Sequence, residues 1–164
     1  MLYYVNVFLI FSFFGFLIET ILKMFVHPTM NNGILHGPWI PVYGLGVVII
    51  ALITKFVNQE LVTTKWKKMV ITFFAGSLLL TLIEFLGGHL IQAIFNEVFW
   101  SYYDMKYHFG HYICLEMSII WGLVSVLFLY IIKPWLNVIV KKIPIWITIP
   151  IFILFIVDVI ITFL

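Results

Sequence analysis

At 164 residues, the chain is 64% hydrophobic and 10% charged, with a mean hydropathy of +1.17, whereas soluble domains carry about 25% charge. That excludes a soluble globular domain and points to an all-α, polytopic membrane protein, because several runs exceed the roughly 20 apolar residues a crossing helix needs. Its nine basic residues are all lysines, too scattered for nucleic-acid binding, and its one cysteine, Cys114, cannot form an internal disulfide.

In chain order, about five helical spans are expected at residues 2–25, 42–58, 68–95, 111–132 and 143–164, joined by linkers at 26–41, 59–67, 96–110 and 133–142. Together they read as one transmembrane domain, 1–164. The N-terminal run "MLYYVNVFLIFSFFGFLIE" has no cationic leader and no small-residue cleavage site, so it reads as a retained first span. Within it Ser12, Gly15, Glu19 and Lys23 recur at spacings of three and four and share a face, which puts Lys23 within pairing reach of Glu19.

Linker 1 contains "ILHGPWIPVYGLG", residues 34–46, where prolines remove backbone donors and glycines permit tight turns. Pro41 suits the first position of span 2. The segment is either a span-initiating turn or a re-entrant site element, since a broken backbone is tolerated only against protein or water. In span 3, Ser77, Thr81, Glu84, Gly88 and Gln92 draw one polar, small-residue face of the kind that packs closely in membranes. Linker 3 and its edge, "NEVFWSYYDMKYHFGHY", is aromatic-rich and reads either as a headgroup-layer loop or as a lid. In span 4 the small face is Cys114, Ser118, Gly122 and Ser125, with Glu116 on the other side. In span 5, Asp158 has Thr162 one turn on.

Lysine placement sets the expected orientation. Lys55, Lys65, Lys67, Lys68, Lys133, Lys141 and Lys142 flank linkers 2 and 4, against only Lys23 and Lys106 on the other side. The N-terminus is then inside and the C-terminus outside. Trp66, Trp135 and Trp146 fall at the inner boundary and Trp39 and Trp100 at the outer one, leaving only Trp121 within a span. With about 1.5 Å of rise per residue, Glu19, Glu84, Glu116 and Asp158 all lie in the outer half.

A carboxylate inside a span is costly and is a functional hypothesis by default. Glu19 and Glu84 read either as hydrogen-bonded acids that fix helix packing or as a proton relay, cation site or acid–base pair. The histidines His27, His36, His89, His108 and His111 lie in or near the external linkers. The H-x-x-H pair at 108 and 111 lacks the further ligands that zinc requires, so no metal and no other cofactor is assigned. The candidate substrate or ion contacts are Glu19, Glu84, His36, Trp39, Tyr43, Trp100, Tyr102, Asp104 and His108.

These segments, taken in order, resemble the bacterial family called Putative ABC-transporter type IV. The matching residues are Glu19, "GILHGPWIPVYGLG" at 33–46, Glu84 in "LIEFLGG", Trp100, "YICLEMSIIWG" at 112–122, and Pro134. The resemblance covers roughly residues 12–136. It departs at Ser101, where the family has an acid, at His108, about where it has Asn, and at His111, near its Gly. Asp104 is the candidate to take over the acid's role. The resemblance implies a permease-like protein of the bacterial cytoplasmic membrane, in contact with membrane lipids. Its partner would be a separately encoded ATPase or other membrane subunit, because this chain has no G-x-x-x-x-G-K-[ST] loop.

The first reading is therefore a transporter component with an outward-facing acidic, aromatic pocket for a small or lipid-like substrate. Protonation of Glu19 or Glu84 would be one way to alternate affinity. Alternatives are a membrane-embedded enzyme acting on a lipid or polyprenyl headgroup, which no catalytic motif supports, and an accessory subunit of a membrane complex. A homo-oligomer stays open.

Overall fold

In hydrocarbon no water satisfies a free backbone group, so apolar runs of this length fold as helices that bond internally. A computed structural model describes residues 2–25, 33–59 and 61–164. Its helices are α1 (Leu2–Phe25), α2 (Pro41–Gln59), α3 (Lys65–Phe95), α4 (Leu115–Leu127), α5 (Lys133–Val140) and α6 (Ile145–Phe163). Two short strands, β1 (His108–Phe109) and β2 (Ile113–Cys114), precede α4. A π-helical turn, Phe128–Ile132, joins α4 to α5 without a break. Leu115–Val140 is thus one span, and among the described residues five helices are long and apolar enough to cross a membrane.

The chain packs as two compact units, Met1–Val48 with Trp135–Leu164, and Ile49–Pro134. In the second unit the small faces of α3 and α4 meet. Gly76 lies against Ser125, Gly122 against Ser77 and Phe73, and Gly88 against the Tyr112 ring. Thr81 Oγ1 donates to Ser118 Oγ at 2.8 Å across the same seam. Lipid tails are as apolar as leucine, so such helices associate through close packing and hydrogen bonds rather than by hiding oily surface. Leu78 and Leu123, 70% and 58% exposed, accordingly turn outward to meet acyl chains.

The other spans shift by three residues or fewer, but both ends of the fourth depart further from the sequence expectation. The fourth span starts at Leu115 rather than 111, because residues up to Cys114 are extended and paired, with His108 opposite Cys114 and Phe109 opposite Ile113. Gly110, at φ 65°, makes the turn, and Cys114 Sγ caps α4 by accepting from Met117 N at 3.4 Å. The span also runs past 132 to Val140, so the last connection is only residues 141–144. Pro134 lacks an N–H and its ring crowds the carbonyl four residues back. The π turn, in which Lys133 N donates to Phe128 O, widens the helix there and lets it continue.

In the first unit, α1 and α6 are tied by a buried bond from Thr148 Oγ1 to Asn6 Oδ1 at 2.6 Å. Phe155 of α6 meets Phe8 of α1 and Trp39 edge-on, at centroid distances of 5.2 and 6.0 Å. At the end of residues 33–40 the chain meets α1, with Ile40 N donating to Ser12 O at 3.0 Å. Pro41 opens α2, as its fixed φ and missing donor favour.

Two adjacent glycines separate packing from propensity. A Cβ at Gly88 would collide with Tyr112, whereas one at Gly87 meets nothing within 4 Å. Gly88→Ala should lower stability in detergent by about 1–3 kcal/mol. Gly87→Ala should raise it by up to about 1 kcal/mol through helix propensity. Thermal unfolding of the two variants checks both signs.

Candidate functional site

Each unit holds a carboxylate inside its spans, met by donors from aromatic side chains or loop backbone. In the second unit it is Glu84 on α3. Tyr102 Oη donates to its Oε1 at 2.8 Å, and Trp121 Nε1 on α4 donates to its Oε2 at 2.9 Å. Trp121 is the lone mid-span tryptophan, and its indole N–H needs an acceptor away from water. Tyr102 is carried by the α3–α4 connection, where its N–H donates to His111 O at 2.7 Å. In the hairpin turn Tyr112, 2% exposed, donates its hydroxyl to Gln92 Oε1 at 3.1 Å. Glu116, in the first turn of α4, accepts from Tyr107 N at 3.3 Å and so holds β1 to the helix.

In the first unit Glu19 is met by the Tyr43 hydroxyl. The Tyr43 ring lies across Gly15, one turn before Glu19 on the same face of α1, where a Cβ would sit 2.5 Å from the ring. Glycine at 15 is what lets α2 approach closely enough for this bond. The expected Lys23–Glu19 pair does not form. Among the described residues the only ion pair is His36 Nδ1 with Asp158 Oδ1, at 3.7 Å. A neutral hydroxyl from another helix reaches Glu19, while Lys23 sits a further turn along.

Asp158 on α6 organises the proline-rich segment. Its Oδ1 accepts from His36 N at 3.2 Å and its Oδ2 from Gly37 N at 2.9 Å. Only a glycine fits at 37, since a Cβ would come within 2.9 Å of Asp158 Oδ2 and 2.5 Å of Trp39 Nε1. Trp39 N then donates to Gly37 O at 2.8 Å across Pro38, a three-residue turn whose central φ the proline ring presets. His36 Nδ1 also bonds with Thr162 Oγ1 at 3.0 Å. The "HGPW" stretch is thus a turn clamped by an in-span acid.

The candidate residues separate accordingly. Glu84 and Tyr102 come together, Glu19 and Tyr43 come together, and His36 and Trp39 gather at Asp158. Trp100 packs edge-on against Tyr112 at 5.5 Å, with its buried Nε1 lacking a partner. Asp104 and His108 are exposed on the connection, with His108 Nδ1 3.2 Å from Gly110 O. His111 Nδ1 is 3.1 Å from Ser101 Oγ. Among the described residues no three His, Cys, Asp or Glu side chains form a metal-binding group. His27 lies outside the described residues. Trp121 and Asp158 are the partners that the candidate set lacked. The signal for each was its type: an indole N–H and a carboxylate, both deep within apolar helices.

Five apolar crossing helices, with carboxylates hydrogen-bonded inside them, define a polytopic helical membrane protein. The family model described as Putative ABC-transporter type IV matches residues 6–163, and the chain belongs to that family. No curated protein and no solved structure matches the chain significantly.

Asp158→Ala strips two backbone amides of their acceptors at once. It should cost about 2–4 kcal/mol and speed proteolysis within residues 33–40. Val157→Ala, next to it on an exposed surface, should do neither. Thermal melts with limited proteolysis make the comparison.

Proposed function

We propose that the chain is the membrane-embedded component of a transporter for a small or lipid-like substrate. Its N-terminus and lysine-rich connections face the cytoplasm of a bacterial cell, and a separately encoded ATPase subunit supplies energy. Family membership supports the transport class. The observation that carries the mechanism is the Glu84 clamp, in which one carboxylate oxygen is held by a helix and the other by a loop. A proton or a cationic or hydroxylated substrate group that takes the place of the Tyr102 hydroxyl loosens the α3–α4 connection from the acid beneath it. Occupancy of the acid and position of the loop are thereby linked.

In the other unit, Glu19 with Tyr43 makes the same kind of link between an in-span acid and the helix that follows the proline-rich segment. In that unit His36, which is exposed, serves as a first substrate contact, with Trp39 as nearby aromatic surface. In the Glu84 unit, separately, exposed Asp104 and His108 and the aromatic Trp100 play that part.

The test begins with protein drawn from native membranes into nanodiscs, where mass spectrometry identifies the small molecule or lipid it retains. Uptake of that compound is then followed in vesicles. Glu84→Gln should reduce uptake by about tenfold or more, the loss expected for a hydrogen bond to a charged group. Tyr102→Phe should raise KM more than it lowers the maximal rate. Unchanged uptake in Glu84→Gln, with folding intact, contradicts the proposal.

A further inference from the structure

The fourth span carries a lysine that the transport reading leaves unused. Lys133 closes the π turn, and its Nζ donates to Thr54 Oγ1 on α2 at 2.9 Å. Thr54 is fully buried and turns its own hydroxyl to Ala51 O at 3.0 Å, so its oxygen is fixed as an acceptor. The extra residue of the π turn advances every later side chain by about 100° around the axis. This sets Lys133 against α2. Thr54 occupies only one of the three ammonium protons.

Cations gather at this end of the unit. Lys55, next to Thr54, lies close enough to Lys133 to repel it electrostatically. Lys65 comes to the same turn, with Nζ 5.1 Å from the Tyr130 ring centroid, and Tyr130 Oη donates to Lys65 O at 3.3 Å. Among the described residues no carboxylate forms an ion pair with any of these lysines. Glu60, the acid of the α2–α3 connection, lies outside the described residues. Two ammonium groups that repel one another within neighbouring spans, with no described carboxylate paired to either, are favoured by an anion that joins them. Beside them the surface is hydrocarbon: Leu52 and Phe56 form one exposed stripe flanking Lys55 on α2, and Ile131 is exposed within the π turn.

We propose that Lys133 and Lys55, supported by Lys65, bind the phosphate of an anionic phospholipid whose acyl chain lies along Leu52, Phe56 and Ile131. The adjoining apolar stripe favours a lipid over free phosphate, because it has a use for the chain that the phosphate carries.

The full chain, purified in neutral detergent and delipidated, is titrated with phosphatidylglycerol or phosphatidylcholine and read by native mass spectrometry. Phosphatidylglycerol should be retained in preference to phosphatidylcholine. Lys133→Met should weaken that retention by about tenfold, while Lys133→Arg retains it and Lys106→Met, on the α3–α4 connection, leaves it unchanged. A thermal melt of each variant reports folding, and if Lys133→Met does not fold, Lys55→Met reads the same interaction. Equal retention of the two lipids, or full retention by folded Lys133→Met or, in its place, Lys55→Met, overturns the proposal. So does displacement of phosphatidylglycerol by millimolar inorganic phosphate, which would mark a free-anion site.

Discussion

A carboxylate placed among hydrocarbon helices must find its hydrogen-bond donors inside the protein, and in this chain those donors also pin the connections. Leaving such a group unpaired costs several kcal/mol, more than any single packing contact in a small membrane domain returns. Asp158 therefore draws two consecutive amides of the proline-rich segment onto α6, and Glu84 draws a tyrosine of the α3–α4 connection onto α3. Glu116 does the same for β1 through Tyr107 N. Among the described residues, the proline-rich segment and the α3–α4 connection are thus held by acids on helices. Two of the three acids receive backbone N–H groups, which substitution cannot easily remove.

Small residues set how closely the helices approach, and the polar bonds fix which residues meet. Gly76, Gly88 and Gly122 bring α3, α4 and the hairpin into contact, and Thr81 with Ser118 sets their register. Gly15 does the equivalent for Tyr43 in the other unit. Each acid site thus rests on a close approach of backbones that a side chain would prevent. The contact faces are narrow, and most large aliphatic side chains are left for lipid.

Much of this was legible from residue spacing. The two small-residue faces, on residues 77–92 and 114–125, were visible separately and pack on each other, because helical periodicity carries over directly into packing. Pro41 opens its helix for the same local reason. The hairpin at 108–114 was not legible: two-residue strands carry no periodicity, and their pairing depends on Gly110 taking a left-handed turn. The continuation through Pro134 was hidden because a proline ordinarily ends a helix, and the π turn that absorbs it has no sequence signature. Charge reasoning paired Glu19 with Lys23 on one helix, whereas the bond that forms comes from Tyr43 across a glycine. Asp158 stood out by type alone. Its acceptors needed the fold, since the amides they receive lie about 120 positions earlier in the chain.

Hydrogen exchange tests the central claim, that in-span acids anchor the irregular backbone, most directly. The observables are the backbone amides of His36 and Gly37 and the indole N–H of Trp121, followed by NMR in detergent micelles. The account predicts slow exchange at all three, with the Trp121 indole released by Glu84→Ala and the two amides released by Asp158→Ala. Exchange at His36 and Gly37 as fast as in an unstructured peptide, or a Trp121 indole indifferent to Glu84, would contradict it.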